Sequence, residues 1–163
     1  MRLPGMTTAA AALLLAGCAT TPSSPAGSVA AGGQLTYRTL PCHGFCPVYT
    51  VQIDRNGQGV FTGAEHSAVT GERRFTATPA QTAEFFRRLQ PYRPAGELVL
   101  DGQEKCASYA TDLPGADVTW TDAGGRAHLT YNYGCDREKH RAMADALRSA
   151  PDALPIADLI GKR

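Results

Sequence analysis

Side chains that could support chemistry are concentrated in Thr39–Tyr49, a segment of eleven residues. This segment contains Cys42, His43 and Cys46, with a glycine between the cysteines and a proline directly after them. Two thiols and an imidazole at this spacing could form a redox-active dithiol or bind copper or zinc. Both functions need thiols that are not locked in a stable disulfide, so the compartment of the protein decides how the segment is interpreted.

The N-terminal residues predict export and a lipid anchor. Thr7–Ala16 is too short to span a bilayer as a helix and is typical of the apolar part of a signal peptide. The sequence Leu15-Ala16-Gly17-Cys18 is similar to the bacterial lipoprotein signal, which implies removal of residues 1–17 and multiple acylation of Cys18, a stable membrane anchor. Ala19 at the next position implies an outer-membrane lipoprotein facing the periplasm. An ordinary secretory signal with an incidental cysteine is the alternative.

The remaining chain is predicted to be a tether followed by one domain. Residues 18–33 carry the lipidated cysteine and are rich in Ala, Thr, Pro, Ser and Gly, which predicts a flexible linker. Residues 34–163 are enough for a single domain with its own core. Lys and Arg total 16 and Asp and Glu total 15, so removing Arg2 with the signal leaves 15 of each. A neutral chain without a basic run argues against nucleic-acid binding.

An even number of cysteines in an exported domain predicts two disulfides, with three possible connectivities. Apart from the cysteine at the cleavage site, the cysteines are Cys42, Cys46, Cys106 and Cys135. Gly44 and the turn residue Pro47 allow the first two to approach bonding distance. The last two flank a predicted hairpin. The spacing therefore favours the pairs 42–46 and 106–135.

The redox and metal hypotheses remain alternatives that use Cys42, His43 and Cys46. Reactive dithiols gain a low thiolate pKa from a helix N-terminus, whereas Pro47 here leads into a predicted strand. A Cys-x-x-x-Cys-Pro element is similar to one in copper-delivery proteins, but there it precedes a helix in a thioredoxin-like fold. Four cysteines could also bind zinc.

Hydrolytic catalysis has no recognisable motif in this sequence. Gly-x-Ser-x-Gly and His-Glu-x-x-His are both absent. His66, His128 and His140 are scattered, and alternation predicts that His128 faces solvent on its strand. Asp112 is predicted to be a structural residue whose carboxylate caps backbone N–H groups in the tight turn Thr111–Gly115, before the next strand. These observations favour a protein that is not an enzyme and has no cofactor.

Apolar residues at every second position predict most of the strands. The predicted strands are Leu35–Leu40, Tyr49–Asp54, Gly59–Thr62, Arg73–Ala77, Glu97–Leu100, one containing Val118 and Trp120, and one from Ala127 to Tyr133. A first helix is predicted after Thr78, with a capping box and an apolar stripe from Thr82 to Leu89. A second helix is predicted after Asp136 as its N-cap, with a buried side formed by Met143, Ala146, Leu147 and Ala150. This order predicts an α+β fold: a mainly antiparallel sheet of two hairpins and flanking strands, with two main helices on one face.

Two short elements of the sequence resemble a known family. The first is Cys42-x-Gly44-x-Cys46-Pro47-x-Tyr49, followed by a strand, an Asn-Gly turn and a return strand; the second is Thr111-Asp112-Leu113-Pro114 before the later hairpin. Together they resemble a bacterial family known as domain of unknown function 6438, over roughly Leu35 to Ile160. The resemblance implies no activity, and Cys106 and Cys135 look like an addition found in part of the family. We therefore expect a membrane-anchored domain that binds an unidentified periplasmic protein or envelope ligand.

Overall fold

The computed structural model describes Met1 and residues 32–161. Cys18, the predicted acylation site, and all but the ends of the predicted signal peptide and tether lie outside the described residues. The described strands are β1 (Gln34–Leu40), β2 (Tyr49–Asp54), β3 (Gln58–Gly63), β4 (Gly71–Thr76), β5 (Glu97–Leu100), β6 (Gly115–Asp122) and β7 (Gly125–Asn132).

The seven strands form one sheet in the order β4-β3-β2-β1-β6-β7-β5. Every neighbouring pair is antiparallel except β5 and β7, which are parallel. Side chains alternate between the two faces of the sheet, and the apolar ones share one face. On this face Leu35 lies opposite Ile53 of β2 and Trp120 of β6, and all three are buried. The opposite face carries mainly threonines and charged residues.

Two main helices cover the apolar face of the sheet. They are α1 (Pro79–Leu89) and α2 (Arg141–Ser149), followed by a short helix α3 (Ala157–Ile160). The Tyr37 hydroxyl donates a hydrogen bond to the Leu147 carbonyl at 3.0 Å, and the Tyr37 and Phe85 rings meet edge to face at 6.3 Å between centroids. These contacts fix both helices on the face that includes Tyr37. The predicted α+β fold with a mainly antiparallel sheet is confirmed.

The start of α1 follows its local sequence. Thr78 is the N-cap, its hydroxyl accepts from Gln81 N–H, and the Gln81 side chain accepts from Thr78 N–H, which completes a capping box. Pro79 occupies the first turn, where its missing N–H costs nothing. The predicted stripe is buried as expected, at Thr82, Phe85, Phe86 and Leu89.

The predicted start of the second helix was wrong. The N-cap of α2 is His140, and Asp136 lies four residues earlier with a φ of 40°. Its carboxylate accepts a hydrogen bond from Ser108 N–H at 2.7 Å, and this bond lowers the pKa of Asp136. The Asp136 carboxylate therefore binds a backbone N–H from a distant part of the chain instead of capping α2. Ala144 rather than Ala146 is buried with the other apolar residues of α2.

None of the helices in the described part of the chain is long and apolar enough to cross a membrane.

Candidate functional site

The predicted disulfide bonding of the four cysteines in the domain is confirmed, and the pairing is the one that their spacing favours. Cys42 bonds to Cys46 with their Cα atoms 5.8 Å apart, and Cys106 bonds to Cys135 with a Cα separation of 5.3 Å. The first bridge closes a loop between β1 and β2. The second attaches the irregular segment before β6 to the chain leaving β7.

The loop between β1 and β2 is held at its base by Thr39. The Thr39 hydroxyl donates to the Pro47 carbonyl at 2.8 Å and accepts from Tyr49 N–H at 3.0 Å. Val48 N–H donates to the Glu65 carbonyl at 2.8 Å, which adds a second attachment to the β3–β4 connection. Side chain, disulfide and backbone bonds together fix the position of the loop although little of it is buried.

Asp112 connects the loop to the segment that precedes β6. Its carbonyl accepts a hydrogen bond from His43 N–H at 3.2 Å. The residue has a φ of 67°, the left-handed conformation that Asp tolerates better than most residues. Its carboxylate accepts from the Thr111 hydroxyl at 3.1 Å rather than from the backbone N–H groups that we predicted. Asp112 is thus a turn residue, and its contact with the loop is made by its backbone.

Phe45 stands at the tip of the disulfide loop. Its side chain is 89% exposed, more than any other large apolar residue in residues 32–161. Gly44 next to it has a φ of 149°, a conformation that favours glycine, and its N–H donates to the Cys42 carbonyl at 3.0 Å. The Phe45 ring meets the His66 ring edge to face at 5.0 Å between centroids. A rigid loop therefore presents an aromatic ring to solvent.

A cleft of about 420 Å³ opens beside Phe45. It lies at the end of the sheet where β1 and β7 finish and β2 and β6 begin, so antiparallel pairing brings these four strand ends together. Its lining is mainly apolar: Tyr37, Thr39, Leu40, Phe45, Cys46, Pro47, Tyr49, Pro114, Gly115, Tyr133 and Arg148. A larger hollow of about 480 Å³ beside Asp136 is lined by small and charged residues. An apolar cleft with few polar groups is the more typical ligand site.

Among the described residues that line the cleft, Arg148 is the one with a formal charge. It projects from the last turn of α2, and its Cζ atom lies 4.2 Å from the centroid of the Tyr133 ring, a cation–π contact. It forms an ion pair with Asp145, with 3.9 Å between Nη1 and Oδ1. The side chain is 52% exposed, so the guanidinium is accessible to a ligand.

The second disulfide fixes the far wall of the cleft. Cys135 is fully buried, and its carbonyl accepts from the Tyr131 hydroxyl at 3.0 Å. Two residues earlier, Tyr133 N–H donates to the Pro114 carbonyl at 3.0 Å. Both Tyr133 and Pro114 line the cleft. The Cys106–Cys135 bridge thus stabilises the part of the chain that carries this wall.

Comparison with known families identifies the domain. A family model described as domain of unknown function (DUF6438) matches residues 33–154, about three quarters of the chain. The chain belongs to the DUF6438 family. A search of curated proteins found no significant match. Within this DUF6438 domain, the two elements that carry the resemblance meet at the cleft: Cys46, Pro47 and Tyr49 come from the first, and Pro114 comes from the second.

The structure does not support the redox and metal alternatives for Cys42, His43 and Cys46. Both cysteines of this group are bonded to each other. Within residues 32–161, no group of three or more His, Cys, Asp or Glu side chains is arranged to hold a metal ion. His43 contributes its backbone N–H to the loop, through the bond to Asp112.

Sequence reasoning missed a charged cluster on the other face of the sheet. Alternation predicts that His128 faces solvent, but only 18% of its side chain is exposed. Its Nδ1 lies 3.0 Å from Glu97 Oε1 and its Nε2 lies 2.8 Å from Asp117 Oδ2. The Thr130 hydroxyl donates to the same Asp117 oxygen at 3.0 Å. Alternation places His128 and Thr130 on one face, but the partners on β5 and β6 depend on strand order, which the sequence does not show.

We expect His128 to stabilise the fold more at lower pH. Burial lowers its pKa, but the hydrogen bonds with Asp117 and Glu97 outweigh burial and raise the pKa above the ordinary value of 6.5. Because the folded-state pKa is the higher one, this stabilisation is complete below about pH 6.5 and is lost as the pH rises through the folded-state pKa. We predict that His128→Gln costs about 1 kcal/mol at pH 6 and much less at pH 9.

Urea unfolding of both proteins between pH 6 and pH 9 measures this difference. A stability gap between wild type and variant that does not change over this pH range would contradict the prediction.

Proposed function

We propose that the protein is a lipid-anchored cell-envelope protein that is not an enzyme and whose DUF6438 domain binds a partner in the cleft beside the Cys42–Cys46 loop. One observation carries the binding role: an exposed phenylalanine, held by a disulfide-closed loop, stands beside an apolar cleft. Large exposed apolar groups next to a concave apolar surface are typical of interaction sites. The partner is a periplasmic protein or another envelope component.

The position of the cleft relative to the first residue of β1 supports a partner that approaches the domain from the end remote from the predicted tether. The tether from Cys18 enters the domain at Gln34, the first residue of β1. The disulfide loop follows Leu40, the last residue of that strand, and seven strand residues span roughly 20 Å. The start of the domain, to which the predicted tether is joined, and the cleft are therefore at opposite ends of β1.

We predict that Cys18 carries the anchor. Cells expressing the wild-type protein and fed radiolabelled palmitate should yield a labelled protein in the outer-membrane fraction, and the Cys18→Ser variant should yield none. Cys42→Ser tests whether labelling needs the N-terminal cysteine in particular, and it should remain labelled. Unchanged labelling of Cys18→Ser would contradict the lipid anchor and leave the cleft as a separate question.

A photo-crosslinking amino acid tests the binding role of the cleft. Placed at Phe45 in the full-length protein, it is expected to give a discrete crosslinked product in intact cells. Leu98 is the matched control position, because its side chain is also apolar and exposed but lies on β5. Equal crosslinking from both positions, or none from Phe45, would contradict the proposed binding site.

A further inference from the structure

We infer that the cleft recognises a peptide C-terminus: an apolar or aromatic last side chain with its free carboxylate. This inference rests on the proposed function and adds the chemistry of the ligand to it. The ligand's side chain would pack among the tyrosines and prolines, and its carboxylate would pair with Arg148.

The charge of the cleft fits an anion. Within residues 32–161, Arg148 is the lining residue with a formal charge, and no carboxylate side chain lines the cleft. The Arg148 Cζ atom lies over the Tyr133 ring at 4.2 Å from its centroid, and this cation–π contact helps to hold the guanidinium in place. One contact of 3.9 Å to Asp145 leaves most of its five N–H donors for a ligand. A planar guanidinium held in this way is suited to binding a carboxylate with two parallel hydrogen bonds.

The apolar lining fits one ring or branched side chain. Tyr37 and Tyr49 are buried, at 1% and 3% exposure, and form the floor with their rings 6.4 Å apart. Pro47 and Pro114 stand on the loop side and the β6 side. Aromatic groups favour edge-to-face and offset contacts with other rings, and such contacts add to the gain from burial. The lining therefore favours a compact side chain over a long flexible chain.

The C-terminal residue of a peptide carries both an apolar side chain and a carboxylate. In the last residue of a peptide, the carboxylate and the side chain share one Cα atom, so a ring in the cleft places the carboxylate beside it. Capture of a terminal carboxylate is an established mode of peptide recognition. A fatty acid would also offer an apolar part and a carboxylate, but its apolar part is a long flexible chain. The ring-lined cleft favours a single compact side chain, and therefore a peptide end over a lipid.

Fluorescence anisotropy with two labelled peptides tests the inference. The probes are fluorescein-Gly-Ser-Gly-Phe with a free C-terminus and the same peptide with a C-terminal amide, added to the full-length protein in lipid nanodiscs. We expect the free acid to bind about tenfold more tightly than the amide, because the amide lacks the charge that Arg148 recognises. In Arg148→Gln this preference should disappear. In the control Arg87→Gln, an exposed arginine on α1 that does not line the cleft, it should persist.

Each other outcome overturns the inference in a different way. Equal binding of acid and amide, with both weakened in Phe45→Ala, would show that the ligand's carboxylate is not recognised. The cleft would still be a binding site, and the proposed function would stand. No binding of either probe overturns the peptide terminus as the ligand. Displacement of the probe by hexanoate as readily as by unlabelled acid peptide replaces the peptide with a fatty acid. Probe binding that weakens as the protein concentration rises indicates that a second copy fills the cleft.

Discussion

Replacing both Cys106 and Cys135 by alanine is expected to lower the free energy of unfolding by roughly 3–4 kcal/mol. The two residues are 29 positions apart, so their bond removes much conformational freedom from the unfolded chain. Alanine is the appropriate replacement because Cys135 is fully buried and a serine hydroxyl there would need a hydrogen-bond partner. Urea unfolding monitored by Trp120 fluorescence measures the change, and the melting temperature should fall by roughly 10 °C.

The other disulfide provides the matched control for this prediction. Cys42 and Cys46 are four positions apart, and the same relation gives a contribution of about 2 kcal/mol. We therefore expect Cys42→Ala/Cys46→Ala to be clearly more stable than Cys106→Ala/Cys135→Ala. The reverse order of stability would show that the long bridge is not the main covalent support of the fold.

Phe85→Ala is expected to cost roughly 3–5 kcal/mol, because it removes a large side chain from the centre of the core. Phe85 has no exposed surface and its ring contacts those of Tyr37 and Phe86. The surrounding sheet and helices are only partly free to collapse into the space left behind. If this variant does not fold, Phe85→Leu provides a measurable version with a loss of roughly 1–2 kcal/mol.

Phe45→Ala makes the same chemical change at an exposed position. We expect its free energy of unfolding to stay within about 0.5 kcal/mol of wild type. Crosslinking and probe binding at the cleft should nevertheless weaken, because Phe45 is part of the cleft wall. A loss of stability similar to that of Phe85→Ala would mean that Phe45 has a structural role and is not an element of an interaction surface.

Features encoded by neighbouring residues were predictable from the sequence. Alternating apolar residues in Tyr49–Asp54 predict a half-buried strand, and the structure has that strand with the same bounds. Thr78 and Gln81 form the predicted capping box because both partners lie within one helical turn. The resemblance carried by the first cysteine element identified the family correctly.

Features that depend on distant residues were not predictable in the same way. Asp136 has a good N-cap residue type, but Ser108 N–H competes for its carboxylate from 28 positions away. His128 faces solvent by alternation, yet Glu97 and Asp117 reach it from two other strands. The cleft itself exists because four strand ends and the end of α2 converge. No local pattern in the sequence describes that convergence.

We propose that the disulfide-closed loop presents the cleft to a partner. The most direct measurement compares in-cell photo-crosslinking from position 45 in the otherwise wild-type protein and in the Cys42→Ala/Cys46→Ala background. Urea unfolding establishes that the second protein is still folded. We expect a discrete crosslinked product in the first protein and a product reduced several-fold in the second. Crosslinking that is absent from the first protein, or undiminished in the second, would contradict this proposal.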